Sequence, residues 1–240
     1  MTEPEQHSSS GIAAVGRSLR ELVIGTARDT LRLWRIAIWI PLLVVIPEFI
    51  QHVVEIKLGM FDSREAFKAL NADPQRMLFG YLKLAGLLSA YIAAAGFWSR
   101  RSGHKVRWAA AGIALMLNLI PFALLLPIEG RVSAQVWTTI NIVVSIASLP
   151  LLVLLLGALF GDPEMTLGNA YRRGWGKAVR IALLVPLGWF PLSLIHHYDH
   201  LFALGQPQGI IWGLMVWDAV VVGLLACWAG TALHHGYRTP

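Results

Sequence analysis

Charge is scarce in this chain. Of its 240 residues only 14% are Asp, Glu, Lys or Arg, while 56% are hydrophobic. Soluble domains carry about 25% charged residues, so this balance excludes an ordinary soluble globule and leaves a polytopic membrane protein. Cysteine is scarcer still: Cys227 stands alone, which excludes an internal disulfide and any Cys-based zinc centre. There is no Walker A loop (YRRGWGK, residues 171–177, lacks the leading glycine), and no nucleophile elbow, GxGxxG, CxxC, HExxH or N-glycosylation sequon. The usual nucleotide, acyl-transfer and zinc-protease chemistries therefore have no motif to stand on. A net charge of +6 does not restore a nucleic-acid partner, because Lys and Arg are spread between apolar runs instead of forming one basic face.

What the chain does have is length in its apolar runs. About 20 apolar residues in a helix cross a ~30 Å hydrocarbon layer. Runs of that kind predict an all-α polytopic bundle of six transmembrane helices at 34–55, 79–99, 107–127, 135–159, 178–196 and 209–231. Trp34, Trp98, Trp108, Trp137, Trp212 and Trp228 fall near their ends and suit an interfacial belt. Residues 1–10 read as a disordered tail and 11–33 as a basic amphipathic helix. In that helix Ile12, Val15, Leu19, Leu22 and Val23 recur at helical spacing, with Arg17, Arg20, Arg28 and Arg32 between them. Such a helix either lies among anionic headgroups of the cytoplasmic leaflet or extends the first span. The membrane domain occupies 34–240, and its first helix is expected to remain as an anchor. With the N-terminus inside, fourteen of the 20 Lys and Arg fall on inner segments and six on outer ones. That asymmetry predicts both termini in the cytoplasm, and an Ala-, Arg- and Trp-rich chain without sequons fits a bacterial inner membrane.

The connections differ in character. Residues 58–78 form an outer segment with a short surface helix from Ser63 to Leu70, and TLGNAYRRGWGK (166–177) reads as a capped, basic helix on the inner side. The outer link 196–208 is rich in histidine. An internal likeness relates RIAIWIPL (Arg35–Leu42) to RIALLVPL (Arg180–Leu187). Each is followed by a second proline (Pro47, Pro191), then a histidine (His52, His196) and an acid (Glu55, Asp199) at matching offsets. Pro41, Pro47, Pro121, Pro127, Pro186 and Pro191 are expected to kink the outward-running spans.

The candidate site comes from what is costly. Ionisable groups inside a span face protein or water, not lipid. Glu48, His52 and Glu55 stand at i, i+4 and i+7 on one face of the first span, and Asp218 lies at similar depth in the sixth. Glu48 and Asp218 are the expected proton- or cation-responsive groups, with His52, Glu55, His196, His197, Asp199 and His200 lining the entrance. The alternative is interhelical hydrogen bonding alone, which is also how Asn118, Asn141, Ser145 and Ser148 read. Small-residue stripes at Gly86, Ala90 and Ala93, and at Ala219, Gly223, Ala226 and Gly230, mark close helix packing.

These features predict a small transporter or transport-accessory protein whose partners are the bilayer, anionic headgroups and a small ion or small-molecule substrate. The competing readings are a membrane-embedded metal-dependent enzyme at the outer interface and a non-catalytic scaffold; an enzyme is the less favoured. No resident cofactor is expected, although His52, His196, His200 and Glu48 offer ligands to a divalent metal such as zinc. Haem is disfavoured because His52, His196 and His197 at one side and His104, His234 and His235 at the other sit at span ends, not inside the bundle. Convergence of Glu48, His52, His196 and Asp218 within about 6 Å would support a site with coupled protonation, whereas separations beyond about 12 Å would leave packing.

Overall fold

Backbone polar groups have no water to bond in a hydrocarbon layer, so apolar runs of this length close their hydrogen bonds within helices. The computed structural model describes residues 6–103, 105–128 and 131–238, with side chains from residue 20 onward except those of Phe122 and Leu126. It is all-α, and no strand occurs among the described residues. The elements are α1 (Gln6–Ile36), α2 (Trp39–Lys57), α3 (Arg64–Ala69), α4 (Pro74–Arg101), α5 (Trp108–Leu125), α6 (Ala134–Leu159), α7 (Leu167–Arg173), α8 (Trp175–Ala203) and α9 (Gln208–Arg238). A 3₁₀ turn at Leu126–Ile128 carries Pro127. Among the described residues, six helices are long and apolar enough to cross a membrane: α2, α4, α5, α6, α8 and α9. The chain is an integral membrane protein. The side chains of Ile12, Val15, Arg17 and Leu19, residues 1–5 of the expected tail, and His104 lie outside the described residues.

The expected span boundaries shift by five residues or more at four places, two of them where α4 begins at Pro74 and α9 runs on to Arg238. The first membrane helix begins at Trp39, after a break at Ala37 and Ile38, so Trp34 and Arg35 belong to α1. The fifth runs on to Ala203, so HHYDH (196–200) is helical and does not form the loop expected from 196. No breaker interrupts it until Gly205, whose φ of +69° ends the run. Two short caps follow expectation: Ser63 accepts from the Ala66 N–H at 3.0 Å ahead of α3, and Thr166 from the Asn169 N–H at 3.3 Å ahead of α7.

Two compact units divide the chain. One comprises Met1–Ala94 with Val185–Ala232; the other comprises Ala95–Leu184 with Leu233–Pro240. In the first, α4 meets α2 through Gly86, where a Cβ would sit 2.3 Å from the Leu43 carbonyl oxygen. Val44, Ala90, Val222 and Ala226 pack there as one buried cluster. The buried stripe of α4 continues to Ala94, while the expected Ala93 is only half-buried. On α9, Gly223 admits Val45 and Trp34, with a Cβ there 2.6 Å from Val45 Cγ2. Gly188 of α8 lies flat under the Trp228 ring, whose Nε1 donates to the Val185 carbonyl at 3.2 Å. Trp228 and Trp98 are buried, so these two leave the interfacial belt for the packed interior, where a large flat ring fills space between helices.

In the second unit, Gly157 of α6 lets Met165 and Tyr237 approach, and Tyr237 Oη donates to Asp162 Oδ2 at 2.7 Å. Partial burial pushes the Asp162 carboxyl up, but the Tyr237 hydroxyl, backbone N–H groups and Lys177 outweigh it and hold the acid below its ordinary range. Asn118 of α5 donates to the Leu151 carbonyl of α6 at 2.8 Å, the interhelical bond expected of it. Asn141 instead bonds the Trp137 carbonyl of its own helix.

Candidate functional site

The first unit holds a cluster of ionisable side chains from α2, α4, α8 and α9. Helical spacing on α2 stacks Glu48, Gln51, His52 and Glu55 along one face, and none is more than 2% exposed. His52 is the centre. Its Nδ1 lies 2.9 Å from Glu55 Oε2, and its Nε2 lies 2.8 Å from Asp218 Oδ2 and 3.3 Å from Glu48 Oε1. A ring with carboxylate oxygens at both nitrogens needs a proton on each contact, from the imidazole or from the acid. One proton more than a neutral imidazole carries is therefore shared between His52 and its acids.

Asp218 of α9 gathers the histidines. His196 Nδ1 lies 2.8 Å from both Asp218 oxygens, and His200 Nε2 lies 3.4 Å from Oδ2, near enough for charge attraction but not aligned as a hydrogen bond. His196 and His200 reach the same carboxylate because α8 continues as a helix through them, which sets them one turn apart on one face. The two histidines at equivalent offsets in the internal likeness, His52 and His196, thus meet on one acid. The His200 ring is wedged edge-on against His52, His196 and Phe61, with centroids 5.2, 4.8 and 5.8 Å away.

Two cations enter from α4. Arg76 Nε donates to Glu55 Oε1 at 2.9 Å, an oxygen that also accepts from Gln51 Nε2 at 2.9 Å. Lys83 Nζ donates to Glu48 Oε1 at 3.2 Å. Sequence reasoning assigned Arg76 and Lys83 to topology and left Gln51 without a role. A lone lysine within an apolar span was the available signal, since a cation there needs an acid nearby. The helix ends above the cluster are tied together. Gly59, at φ +73°, closes α2, and the Gly205 N–H after α8 donates to the Phe61 carbonyl at 2.8 Å. Phe61, Ala203, Ile211 and Met215 form a buried apolar cap at that end.

The predicted residues separate into four sets. Glu48, His52, Glu55, His196, His200 and Asp218 converge at 2.8–3.4 Å, inside the separation that supports a site with coupled protonation. Asp199 is buried, and its Oδ2 has no hydrogen-bond partner among the described residues. His197 turns away, exposed, with its ring against Tyr198. His234 and His235 belong to the second unit, with the His234 ring against Phe160.

The cluster is short of donors. Glu48 Oε2, Gln51 Oε1, Asp199 Oδ2 and His200 Nε2 are all buried without a hydrogen-bond partner among the described residues. The first three can only accept, unless the acids carry protons. An unmet buried polar group costs about 1–3 kcal/mol, so such a set favours whatever brings positive charge or protons to it. Chemically the arrangement can hold, exchange or pass on protons, and it can bind a small cation. No family model, curated protein or solved structure matches this chain, so the meaning of the site rests on its geometry.

Proposed function

We propose that this chain is a small transporter or transport-accessory protein of a bacterial cytoplasmic membrane, with both termini inside and an outward-facing proton- or cation-responsive site. Glu48 and Asp218 carry the response, and His52 couples them. The observation that carries this reading is His52, fully buried, with an acid from α2 at one ring nitrogen and an acid from α9 at the other. Buried ionisable groups in a membrane helix are expensive, and their convergence from four helices argues for use over accident. A scaffold would leave such groups scattered over different faces.

The test is flux. In vesicles with a pH-sensitive dye inside, the reconstituted chain should dissipate an imposed proton or cation gradient. Glu48→Gln and Asp218→Asn should each abolish that flux, and the phenotype of the gene in its own cell, without lowering the amount of protein in the membrane. If both variants match wild type in vesicles and in the cell, the site has no such role.

A further inference from the structure

Charge and spacing specify the cation more closely. With neutral imidazoles, the three converging carboxylates of Glu48, Glu55 and Asp218 outnumber the fixed cations Arg76 and Lys83 by one negative charge. A cation held among these acids offsets that excess, as the proton shared with His52 otherwise would. The donors are those that zinc-class ions take: imidazole nitrogen and carboxylate oxygen, with the one cysteine, Cys227, standing outside the candidate ligand groups.

Their positions fit as well. Metal–ligand bonds of about 2.0–2.1 Å place tetrahedral donors roughly 3.3 Å apart. His52 Nε2 to Glu48 Oε1 is 3.3 Å, and His200 Nε2 to Asp218 Oδ2 is 3.4 Å. The His52 Nε2 to Asp218 Oδ2 distance of 2.8 Å is a hydrogen bond, and it needs to open by only about half an ångström. Three overlapping ligand groups, Glu48–His52–Asp218, His196–His200–Asp218 and His52–Glu55–His200, have their donor atoms within 4.8 Å of one another. Two residues of these groups, Glu48 and His200, carry a buried atom without a hydrogen-bond partner among the described residues, Oε2 and Nε2 respectively.

The supporting contacts have the form that metal-binding histidines require. Such a histidine donates one ring N–H to a carboxylate, which fixes the tautomer and leaves the other nitrogen for the ion. His52 Nδ1 faces Glu55 in this way, and Glu55 is itself held by Arg76 and Gln51. His196 Nδ1 braces Asp218. The His200 ring is fixed among its aromatic neighbours.

Resting on the cation-responsive reading of this site, we infer that it binds one divalent transition-metal ion of the zinc class. His52 Nε2, His200 Nε2, Asp218 and Glu48 are the ligands, and Glu55 and His196 are the orienting groups. The ion replaces the proton between His52 and Asp218, which leaves to solvent.

The experiment titrates the full-length, chelator-stripped chain in detergent with Zn²⁺ alone and, separately, with Co²⁺ alone. One equivalent of Zn²⁺ should bind. Co²⁺ should show the visible absorption of a four-coordinate nitrogen–oxygen site without a thiolate charge-transfer band. His200→Gln should weaken binding about 10-fold or more, while His197→Gln, on the same turn but facing away, should leave it unchanged. The wild-type Co²⁺ spectrum decides the matter even if His200→Gln fails to fold. Absence of stoichiometric Zn²⁺ and Co²⁺ binding overturns the inference; if Glu48→Gln and Asp218→Asn still abolish flux, the site handles protons and the broader reading stands. One equivalent bound tightly, with flux intact in those two variants, overturns the transport reading instead and leaves the metal site.

Discussion

Lys83 and Glu48 meet across α4 and α2 at 3.2 Å, the acid fully buried and the lysine side chain 23% exposed. Removing one partner of such a pair strands the other, and the loss is larger than the net worth of the pair. Lys83→Met should therefore destabilise the chain by about 2 kcal/mol, below the usual cost of a fully buried pair because Lys83 keeps some access to solvent. Adding Glu48→Gln to Lys83→Met should recover most of that loss. Thermal unfolding in detergent checks it: a double variant as unstable as the two single effects combined would show that the contact carries no coupling. The asymmetry in what could be read beforehand has the same origin. Glu48, His52 and Asp218 were legible because an acid in an apolar run is costly wherever its partner lies. The pairings of Arg76 and Lys83 were not, since a cation serves topology equally well and its partner stands 21 or 35 residues away, although Lys83 within its apolar span already called for an acid nearby.

At the scale of elements, the site depends on helices that approach closely and run further than hydropathy suggests. Counting apolar residues ended the fifth span at 196, where polar residues begin. The helix ignores that boundary because its hydrogen bonds, not its hydropathy, decide where it stops, and Gly205 is the first residue to stop it. The histidines consequently stand one turn apart on a rigid element instead of lying along a loop. The small-residue stripe of α4 was legible from spacing alone, though its last member is Ala94, one position from the expected Ala93. Gly86 carries the approach to α2, since a Cβ there would meet the Leu43 carbonyl at 2.3 Å and Pro47 Cγ at 3.1 Å. Gly86→Val should force α4 from α2, lowering stability by roughly 1–3 kcal/mol as overpacking does. The shift should also part Lys83 from Glu48, one turn away. Gly96→Ala on the same helix meets nothing within 4 Å and serves as the control. Equal unfolding midpoints for the two variants would mean that α4 has no tight seat.

For the whole molecule, the distribution of Lys and Arg still has to orient the bundle. The basic residues Arg100 and Arg101 in the last turn of α4 and Lys105 and Arg107 in the connection after it cluster together, whereas the connection after α2 mixes acids with its bases. Cytoplasmic connections carry the excess of positive charge, and on that ground the proposed orientation has the α4–α5 link inside and α3 outside. In that proposed orientation the Lys57 end of α2, and with it the acid–histidine cluster, would face the exterior, and a cation would reach the site from outside the cell. Single thiols can test this because Cys227 is the only native one and is buried. On a Cys227→Ala background, Glu65→Cys in exposed α3 should react with a membrane-impermeant maleimide in intact cells. Ser102→Cys, equally exposed between α4 and α5, should react only after the membrane is opened. The reverse pattern would turn the site to the cytoplasm and make the direction of any flux the opposite of that proposed, while leaving the geometry of Glu48, His52 and Asp218 untouched. Orientation and chemistry are separable here because the first is set by charges at the helix ends and the second by charges within them.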